Sequence, residues 1–404
     1  MAVGEPTFPT MHPVPGFKLA TTSAGIKTPG RKDLVVMEIA PGSRVAGVFT
    51  KNAFCAAPVR IAKANLAQTT PRYLITNTGN ANAGTGEQGL ADANLICQTL
   101  AEQACVSLSE VLPFSTGVIG EPLPAEKIVT ALPKALSTLT EQGWVDAGEG
   151  IMTTDTRPKG ASRQLDIDGK TVTITGISKG SGMIKPNMAT MLGYIATDAA
   201  IEQPVLEQLV RACVDCSFNR ITVDGDTSTN DSVVLAATGQ SGVSIAEECS
   251  GYEDFVTALR QVCIELAQAI VRDGEGASKF VTVDVRGGAS SAEALAVAFT
   301  VAESPLVKTA LFASDPNWGR ILAAVGRAGV DGLDVDNVVV HLGDVLLTEN
   351  GGRASSYSEQ AGQAVMDRED IEIRIDLGRG DCRETVWTTD LSHEYVRINA
   401  EYRT

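Results

Sequence analysis

The stretch that decides how this chain is built is KGSGMIKPNMATML, residues 179–192. Two glycines and a proline in its first part predict an irregular loop. The loop runs into residues 191–197, an apolar segment that is typical of a buried strand. A hydroxyl at the mouth of a strand, directly after such a loop, can be held in a strained and exposed position. Thr190 is therefore the candidate nucleophile.

An activated hydroxyl needs a base, and histidine is scarce in this chain. The three histidines are His12, His341 and His393, so few residues could serve as the base of a Ser-His-Asp triad. A threonine that becomes the first residue of a new chain can use its own α-amine as the base. Self-processing at Thr190 is one solution to the missing base.

Length, composition and charge limit the class of protein. With 404 residues, 44% of them hydrophobic and 20% charged, the chain can hold two domains or one large domain with a big core. Its formal charge of −16 argues against nucleic acid and anionic membranes, because both are bound through clustered lysines and arginines. No apolar run reaches the roughly 18 residues of a membrane span, and the first residues lack a secretory-signal pattern. We expect a cytoplasmic protein.

Two patterns, one of cysteines and one of aspartates, resemble metal sites only in part. Cys213 and Cys216 have the CxxC spacing, but no second pair or nearby histidine accompanies them, so helix packing is the better interpretation. Residues 219–231 carry three aspartates without the order and the closing glutamate of a calcium loop, so a structural hydrogen-bond network is favoured there. We expect neither a metal nor an organic cofactor.

Apolar periodicity predicts strands and helices that alternate along the chain. Residues 252–272 form the clearest helix, and Asp168-Gly169 marks a hairpin. Such a mixture is typical of an α/β fold with mixed α+β layers, in which sheets pack against helices. The loop before Thr190 has the strongest glycine and proline signals, so we expect the internal division of the chain near Thr190. The other predicted helices are residues 88–103, 125–139, 204–216, 292–302 and 305–312, and the main predicted strands are residues 34–39, 45–50, 73–76, 191–197, 221–223, 232–237, 280–285, 372–376 and 384–388.

Three further segments admit both a functional and a structural interpretation. Residues 77–86 separate a strand from a helix, where backbone N–H groups can bind phosphate, but their glycine spacing fits no nucleotide motif and a turn is favoured. Residues 115–120 form a plain turn or, if Thr190 is a nucleophile, an oxyanion-stabilising one. Residues 272–276 either end a helix with glycine or present the carboxylate of Glu275 to a cleft.

Taken together, these segments resemble one family, the bacterial glutamate N-acetyltransferases, also called ornithine acetyltransferases, of arginine biosynthesis. The resemblance covers nearly the whole chain and keeps the order of the family. Its specific signals are the Ala189-Thr190-Met191-Leu192 junction and the loop around Asp224; the glycine turns are less specific. The matching segments are residues 47–52, 77–84, 115–117, 152–156, 179–192, 222–231, 275–276, 315–320 and 395–402.

The resemblance implies a self-cleaving precursor. Cleavage between Ala189 and Thr190 would give an α chain of residues 1–189 and a β chain of residues 190–404. The implied fold is a layered α/β arrangement, similar to but not the same as that of N-terminal nucleophile hydrolases. The implied assembly is an α₂β₂ heterotetramer of the cleaved chains.

The resemblance also implies an activity and a set of site residues. The activity is transfer of an acetyl group from N²-acetyl-L-ornithine to L-glutamate, with the acetyl group carried on Thr190 in between. By their positions in the motifs, Thr116 and Gly117 form the oxyanion hole. The residues implied to bind substrate are Thr153, Lys179, Thr190, Glu275, Asn399 and Thr404.

Two other functions stay open on the residues alone. A self-processing threonine amidase or aminopeptidase would use the same nucleophile and pass the acyl group to water. A non-catalytic nucleotide- or sugar-binding protein would use the loop at residues 77–86. Within the family, the residues do not decide whether acetyl-CoA also serves as an acetyl donor.

Overall fold

The computed structural model describes residues 2–5, 7–185 and 191–401, and these form two compact units. The large unit comprises Thr7–Asn219 and Asp226–Ile270, and the small unit comprises Arg220–Gly225 and the chain from Val271 onward, with a few N-terminal residues. No boundary of these units lies near Thr190, and the predicted division into chains 1–189 and 190–404 stays a prediction about cleavage. Glycine and proline residues indicate a loop, whereas the boundary of a compact unit depends on which elements contact each other.

Strands and helices alternate in both units, as the apolar periodicity predicts. In the large unit the elements are β1 (Phe17–Thr22), β2 (Leu34–Ile39), β3 (Arg44–Phe49), α1 (Ala57–Gln68), β4 (Tyr73–Asn80), α2 (Gly86–Ala104), β5 (Val111–Val118), α3 (Ala125–Ser137), α4 (Trp144–Gly150), β6 (Lys159–Ile167), β7 (Lys170–Lys179), β8 (Leu192–Thr197), β9 (Ala200–Ile201), α5 (Gln203–Asp215), β10 (Ser232–Ala237), β11 (Ser244–Ile245) and α6 (Tyr252–Arg272). In the small unit they are β12 (Phe280–Gly288), α7 (Ser291–Ala302), α8 (Pro305–Phe312), α9 (Trp318–Gly326), β13 (Val339–Leu342), β14 (Val345–Glu349), β15 (Gly352–Arg353), α10 (Glu359–Met366), β16 (Asp370–Asp376), β17 (Cys382–Thr389) and α11 (His393–Ala400). Within the described ranges no single helix is long and apolar enough to span a membrane; α7 and α8 reach that length and apolarity only jointly, with a 54° bend between them.

Two sheets of the large unit pack face to face. Their strand orders are β1-β2-β4-β5 and β3-β10-β8-β7-β6. In β2, Val35, Met37 and Ile39 enter the layer between the sheets. Leu34 and Val36 enter a second apolar layer, which α2 and α3 share. Because successive side chains of a strand point to opposite faces, a strand covered on both faces requires a continuous apolar run such as residues 34–37.

Strand β8 lies in the middle of the second sheet and begins two residues after Thr190 in the chain. It pairs with β7 in the antiparallel sense and with β10 in the parallel sense. The hydroxyls of Tyr194 in β8 and Thr76 in β4 are 2.7 Å apart, so this strand is also bonded to the first sheet. Burial raises the pKa of Tyr194, which keeps the phenol neutral. The predicted strand at residues 191–197 is confirmed.

The small unit is built on one six-stranded sheet with the order β15-β14-β13-β16-β12-β17. Strand β12 is parallel to β16 and antiparallel to β17. Val281, Val283 and Val285, which alternate along β12, pack with Val297 and Val301 of α7. This alternation buries one face of the sheet under helices.

The fold class, mixed α+β layers, is confirmed. Helix α6 has the predicted bounds, and the hairpin turns at Asp168 and Gly169, whose φ angles of 52° and 76° suit a tight two-residue turn. The strand predicted at residues 221–223 is wrong: Ile221 makes an isolated bridge to Trp387. A β-branched tripeptide favours extended backbone, but a ladder also needs a neighbouring strand of matching length.

A buried lysine joins a helix to the last strand of the small unit. The Lys308 ammonium of α8 donates to the hydroxyls of Thr388 at 3.0 Å and Thr389 at 3.3 Å, and to the Thr389 carbonyl. Burial lowers the pKa of Lys308 to about 8, although Asp390, Asp224 and Glu303 act to raise it. The charge of this lysine is therefore held at a cost in stability.

This cost predicts a pH dependence of unfolding. Between pH 8 and its ordinary pKa of 10.5, Lys308 is increasingly neutral in the folded protein but protonated in the unfolded chain. The unfolded state then binds more protons, so the free energy of unfolding rises with pH across this window. We expect wild type to gain stability over Lys308→Met from pH 8 to 10 in urea unfolding. Lys32→Met, at an exposed lysine whose pKa is raised, is the control and should show no such gain; parallel curves for wild type and Lys308→Met would contradict the assignment.

Candidate active site

The two residues predicted to form an oxyanion hole lie at the end of β5. Strand β5 runs parallel to β4, and Gly117 faces Gly79 across the pair. Gly117 has a φ of 138°, and a Cβ atom built on it would lie 2.3 Å from the carbonyl carbon of Gly79. Both the backbone conformation and the close approach require glycine here. The Thr116–Gly117 peptide is thus held against the neighbouring strand.

Asn230 also contacts this end of β5. Its side-chain amide donates to the carbonyl oxygens of Ala81 at 2.6 Å and Ser115 at 2.9 Å. The Ser115 hydroxyl donates to the Asn77 side chain at 2.5 Å. These buried bonds tie the residue before Thr116 to β4 and, through Asn230, to the residue that follows β4. The interpretation of residues 219–231 as a structural hydrogen-bond network agrees with this use of Asn230.

Three predicted site residues meet at one ammonium group. Lys179, the last residue of β7, donates to the hydroxyl of Thr153 at 2.8 Å and to that of Thr116 at 3.2 Å. Lys179 is 8% exposed, so most of its length is buried. It also faces Leu192, the first residue of β8, in the strand register. The large unit therefore brings Thr116, Thr153 and Lys179 together, and their roles in the oxyanion hole and in substrate binding stay predictions.

Asp155 braces this ammonium, and sequence reasoning assigned it no role. Its buried carboxylate is 2.6 Å from the Lys159 ammonium and 4.0 Å from that of Lys179. It also accepts from the backbone N–H of Thr153 at 2.9 Å and of Gly180 at 2.8 Å. The signal in the sequence was the pair Asp155 and Lys159, four residues apart, but an opposite-charge pair at that spacing is common on surfaces.

The electrostatics of this group follow from its burial. Burial by itself raises the pKa of Asp155, but the charges of Lys159 and Lys179, with the bonds from Lys159 and Thr153, hold it well below its usual range. The carboxylate therefore stays ionised at neutral pH. The Lys159 and Lys179 ammonium groups thus share the Asp155 carboxylate near the end of β7.

In the small unit, Glu275 and Asn399 are brought together. Glu275 lies beyond the end of α6 and is 7% exposed. The Asn399 side-chain amide, on α11, donates to the Glu275 carboxylate at 2.8 Å and to the Tyr395 carbonyl at 3.0 Å. Gly276 has a φ of 69°, and a Cβ built on it would lie 2.5 Å from the Tyr395 nitrogen. The glycine after Glu275 thus lets α11 approach closely.

The remaining candidate segments have structural partners. In the loop at residues 77–86, the side-chain amides of Asn77, Asn80 and Asn82 donate to backbone carbonyls. This favours a structural turn over a phosphate-binding loop. The Asp224 carboxylate accepts from the Tyr395 hydroxyl at 3.3 Å. No group of three or more His, Cys, Asp or Glu side chains is placed to hold a metal ion in the part of the chain that the structure describes.

Three predicted residues lie outside the described residues. These are Ala189 and Thr190, at the predicted cleavage bond, and Thr404. Their roles stay predictions. Met191, the residue after Thr190, lies beside Gly180 and accepts a hydrogen bond from the Ser232 N–H at 2.9 Å.

Comparison with known proteins decides the family. The sequence model of the ArgJ family matches residues 18–404. The chain belongs to the ArgJ family. The resemblance drawn from the motifs is confirmed, and with it the prediction of an acyltransferase enzyme.

Individual relatives in the ArgJ family are similar along their full length. The chain is 64% identical to the arginine biosynthesis bifunctional protein ArgJ of Pseudomonas syringae pv. tomato and 56% identical to that of Psychrobacter arcticus, over 100% of both chains in each case. Among solved structures, the arginine biosynthesis bifunctional protein ArgJ of Bacillus halodurans is 37% identical, with a TM-score of 0.50. That match covers 52% of this chain and 98% of the solved chain.

Removing the charge of Asp155 should destabilise the large unit. Asp155→Asn keeps the shape of the side chain but removes the negative charge that both buried ammonium groups contact, and such a loss costs about 3–5 kcal/mol in comparable buried pairs. Chemical denaturation would measure the loss. Asp146→Asn is the matched control, because Asp146 pairs with Lys32 at the surface and such pairs contribute at most about 1 kcal/mol. Equal losses in the two variants would refute the role of Asp155.

Proposed function

We propose that this protein transfers the acetyl group of N²-acetyl-L-ornithine to L-glutamate, with Thr190 as the nucleophile, in the cyclic route of arginine biosynthesis. The observation that carries the proposal is the Lys179 ammonium, which donates to the hydroxyls of Thr116 and Thr153. This positive charge stands beside the peptide proposed as the oxyanion hole. The names of the relatives at 64% and 56% identity support the same pathway.

The first reaction of the proposal is self-cleavage between Ala189 and Thr190. The Thr190 hydroxyl attacks the Ala189 carbonyl, the C–N bond breaks as the C–O ester forms, and water then hydrolyses the ester. The half-length match to the Bacillus halodurans structure supports this step. That match covers nearly all of the solved chain but 52% of this one, so the solved chain is about half as long, as is the proposed β chain.

Cleavage supplies the base for acetyl transfer. A terminal α-amine has a pKa of about 7.7–8.0, so the amine of Thr190 is partly neutral near pH 7 and can accept the hydroxyl proton. The Thr190 oxygen then bonds to the acetyl carbon, the amide C–N bond breaks, and ornithine leaves with the proton. The amino group of glutamate next attacks the acetyl-threonine ester and releases the hydroxyl. The kinetics are ping-pong.

The oxyanion formed in each half-reaction is stabilised by Thr116 and Gly117 in this proposal. A preorganised donor of this kind contributes about 2.7–4 kcal/mol to the transition state in comparable enzymes. The close contact of Gly117 with Gly79 supports the assignment, because donors help most when they do not have to reorganise. The Lys179 ammonium, which donates to the Thr116 hydroxyl, favours the same developing negative charge.

Each proposed binding residue has a chemical role. Lys179 pairs with a substrate carboxylate, and the Thr153 hydroxyl orients that lysine. Glu275, with Asn399 bonded to it, pairs with the side-chain ammonium of the ornithine moiety. Charge-assisted contacts of this type contribute about 1.5–3 kcal/mol each. Thr404 binds substrate as well, as the family resemblance implies.

The proposal extends to a second donor, assembly and location. The relatives are named bifunctional, which supports acetyl-CoA as an alternative acetyl donor to glutamate. The cleaved chains assemble as an α₂β₂ heterotetramer in the cytoplasm. Their strands are interleaved, since β10 and β8 come from the proposed β chain and β3, β7 and β6 from the α chain. One sheet therefore holds both products together.

The proposed activity and the hydrolytic alternative give different products. Purified protein given acetylornithine and glutamate should form acetylglutamate, whereas an amidase would release acetate whether or not glutamate is present. A denaturing gel of active protein should show two fragments of similar size. Thr190→Ala should stay one full-length chain without activity, because it lacks the attacking oxygen; Thr190→Ser, which keeps an oxygen, is the control. A single active full-length band would refute the mechanism.

Glu275→Gln should weaken binding of the donor more than it slows self-cleavage. The amide keeps the shape of the side chain but loses the charge that faces the ornithine ammonium. We expect the KM for acetylornithine to rise about tenfold or more, since one charge-assisted contact is lost. Glu293→Gln, which removes a carboxylate bonded to Arg379 elsewhere in the small unit, is the matched control. Equal damage to self-cleavage and to the KM would contradict the assignment.

A further inference from the structure

The segment that carries Glu275 is joined to the segment that begins α11 by a buried carboxylate that no motif singles out. Asp390 follows directly after β17 and is 3% exposed. One of its oxygens accepts from the backbone N–H groups of Ser278 at 2.8 Å and Lys279 at 3.0 Å. The other accepts from the Ser278 hydroxyl at 2.6 Å. All three bonds reach the chain three or four residues beyond Glu275.

A second contact runs between the same two segments. The Ser392 hydroxyl, next to the start of α11, donates to the carbonyl of Gly276 at 2.6 Å and accepts from the Tyr395 N–H at 3.3 Å. With the bond between Asn399 and Glu275, the two segments meet at three places along their length. Of the contacts made by Asp390 and by Ser392, only those of Asp390 use a carboxylate.

The position of Asp390 is itself fixed by the two residues that precede it. Thr388 and Thr389, which precede it, both bond to the Lys308 ammonium of α8. The Thr389 hydroxyl further donates to the carbonyl of Asp390 at 2.8 Å. Because these bonds fix the backbone at Asp390, its carboxylate can orient residues 278–279, to which it is hydrogen-bonded.

From this geometry we infer that Asp390 is a positioning residue for the ornithine-ammonium site. Its carboxylate holds residues 275–279 against the start of α11, and it thereby sets the distance between Glu275 and Asn399. Asp390 acts through Glu275 and does not itself contact substrate. The inference rests on the proposed function, in which Glu275 binds the ornithine ammonium.

The test is a set of kinetic measurements on the complete, self-processed enzyme. Asp390→Ala should raise the KM for acetylornithine about tenfold, as the loss of one aligned charged contact would, with kcat changed less than about threefold. Asp390→Asn should restore the KM to within about threefold of wild type, because its amide oxygen still accepts from Ser278 and Lys279. A purely structural role would lower kcat and the amount of folded enzyme without this split.

A double-variant cycle tests whether Asp390 acts through Glu275. In Glu275→Gln the aligned charge is already lost, so adding Asp390→Ala should raise the KM less than about twofold further. A full additional tenfold rise would overturn the inference. Asp284→Ala is the matched control, since Asp284 is an equally buried carboxylate of the small unit, bonded to Arg286 and Arg383 instead. The same KM rise in that control would also overturn it.

Two outcomes separate this inference from the proposed function. If wild type forms no acetylglutamate, or Glu275→Gln leaves the KM unchanged, the proposed function or its substrate contact fails and the inference fails with it. If those results stand and Asp390→Ala leaves the KM unchanged, the inference alone is wrong. Should Asp390→Ala not fold, Ser278→Ala decides, because it removes only the 2.6 Å bond and should raise the KM about threefold.

Discussion

The buried carboxylate of Asp155 is the constraint on which the candidate site depends. It is the shared partner of two ammonium groups and two backbone N–H groups that come from separate segments. A hydrophobic replacement could be as stable, because burying ions costs solvation that their attraction only partly returns. What such a replacement could not do is hold the Lys179 charge at one position beside Thr116. The main role of this charge cluster is therefore to position the Lys179 ammonium.

The layered core explains how the same position is kept rigid. Strand β8 has a strand on each side and a sheet against one face, and Tyr194 adds a bond to Thr76 of that sheet. Phe114 packs edge-on against Tyr194, with ring centroids 5.4 Å apart. A strand enclosed in this way has few alternative conformations. The residues at its beginning are thus attached to a buried strand that is bonded to both sheets.

Much of the fold follows from local patterns, but the site does not. Helix α6 and strand β8 are visible as apolar periodicity, because burial imposes the same spacing on any sequence. The roles of Asp155 and Asp390 cannot be predicted from local patterns, because both depend on partners that only folding brings near. Gly180 is 25 residues from Asp155 in the chain, and Ser278 is 112 residues from Asp390. The pairing of Glu275 with Asn399, 124 residues apart, could be expected only through the family resemblance. Local sequence carries periodicity and turns, whereas long-range polar partners require the assembled chain.

The strand order β3-β10-β8-β7-β6 has a consequence for the life of the molecule. Before a cut ahead of β8, unfolding and refolding would be events within one polymer, independent of concentration. Afterwards, two separate polymers would have to find each other to rebuild a common sheet, and each alone would expose unpaired strand edges that invite aggregation. The durability of the processed form would then be governed by how slowly it opens, since what dissociates is poorly recovered.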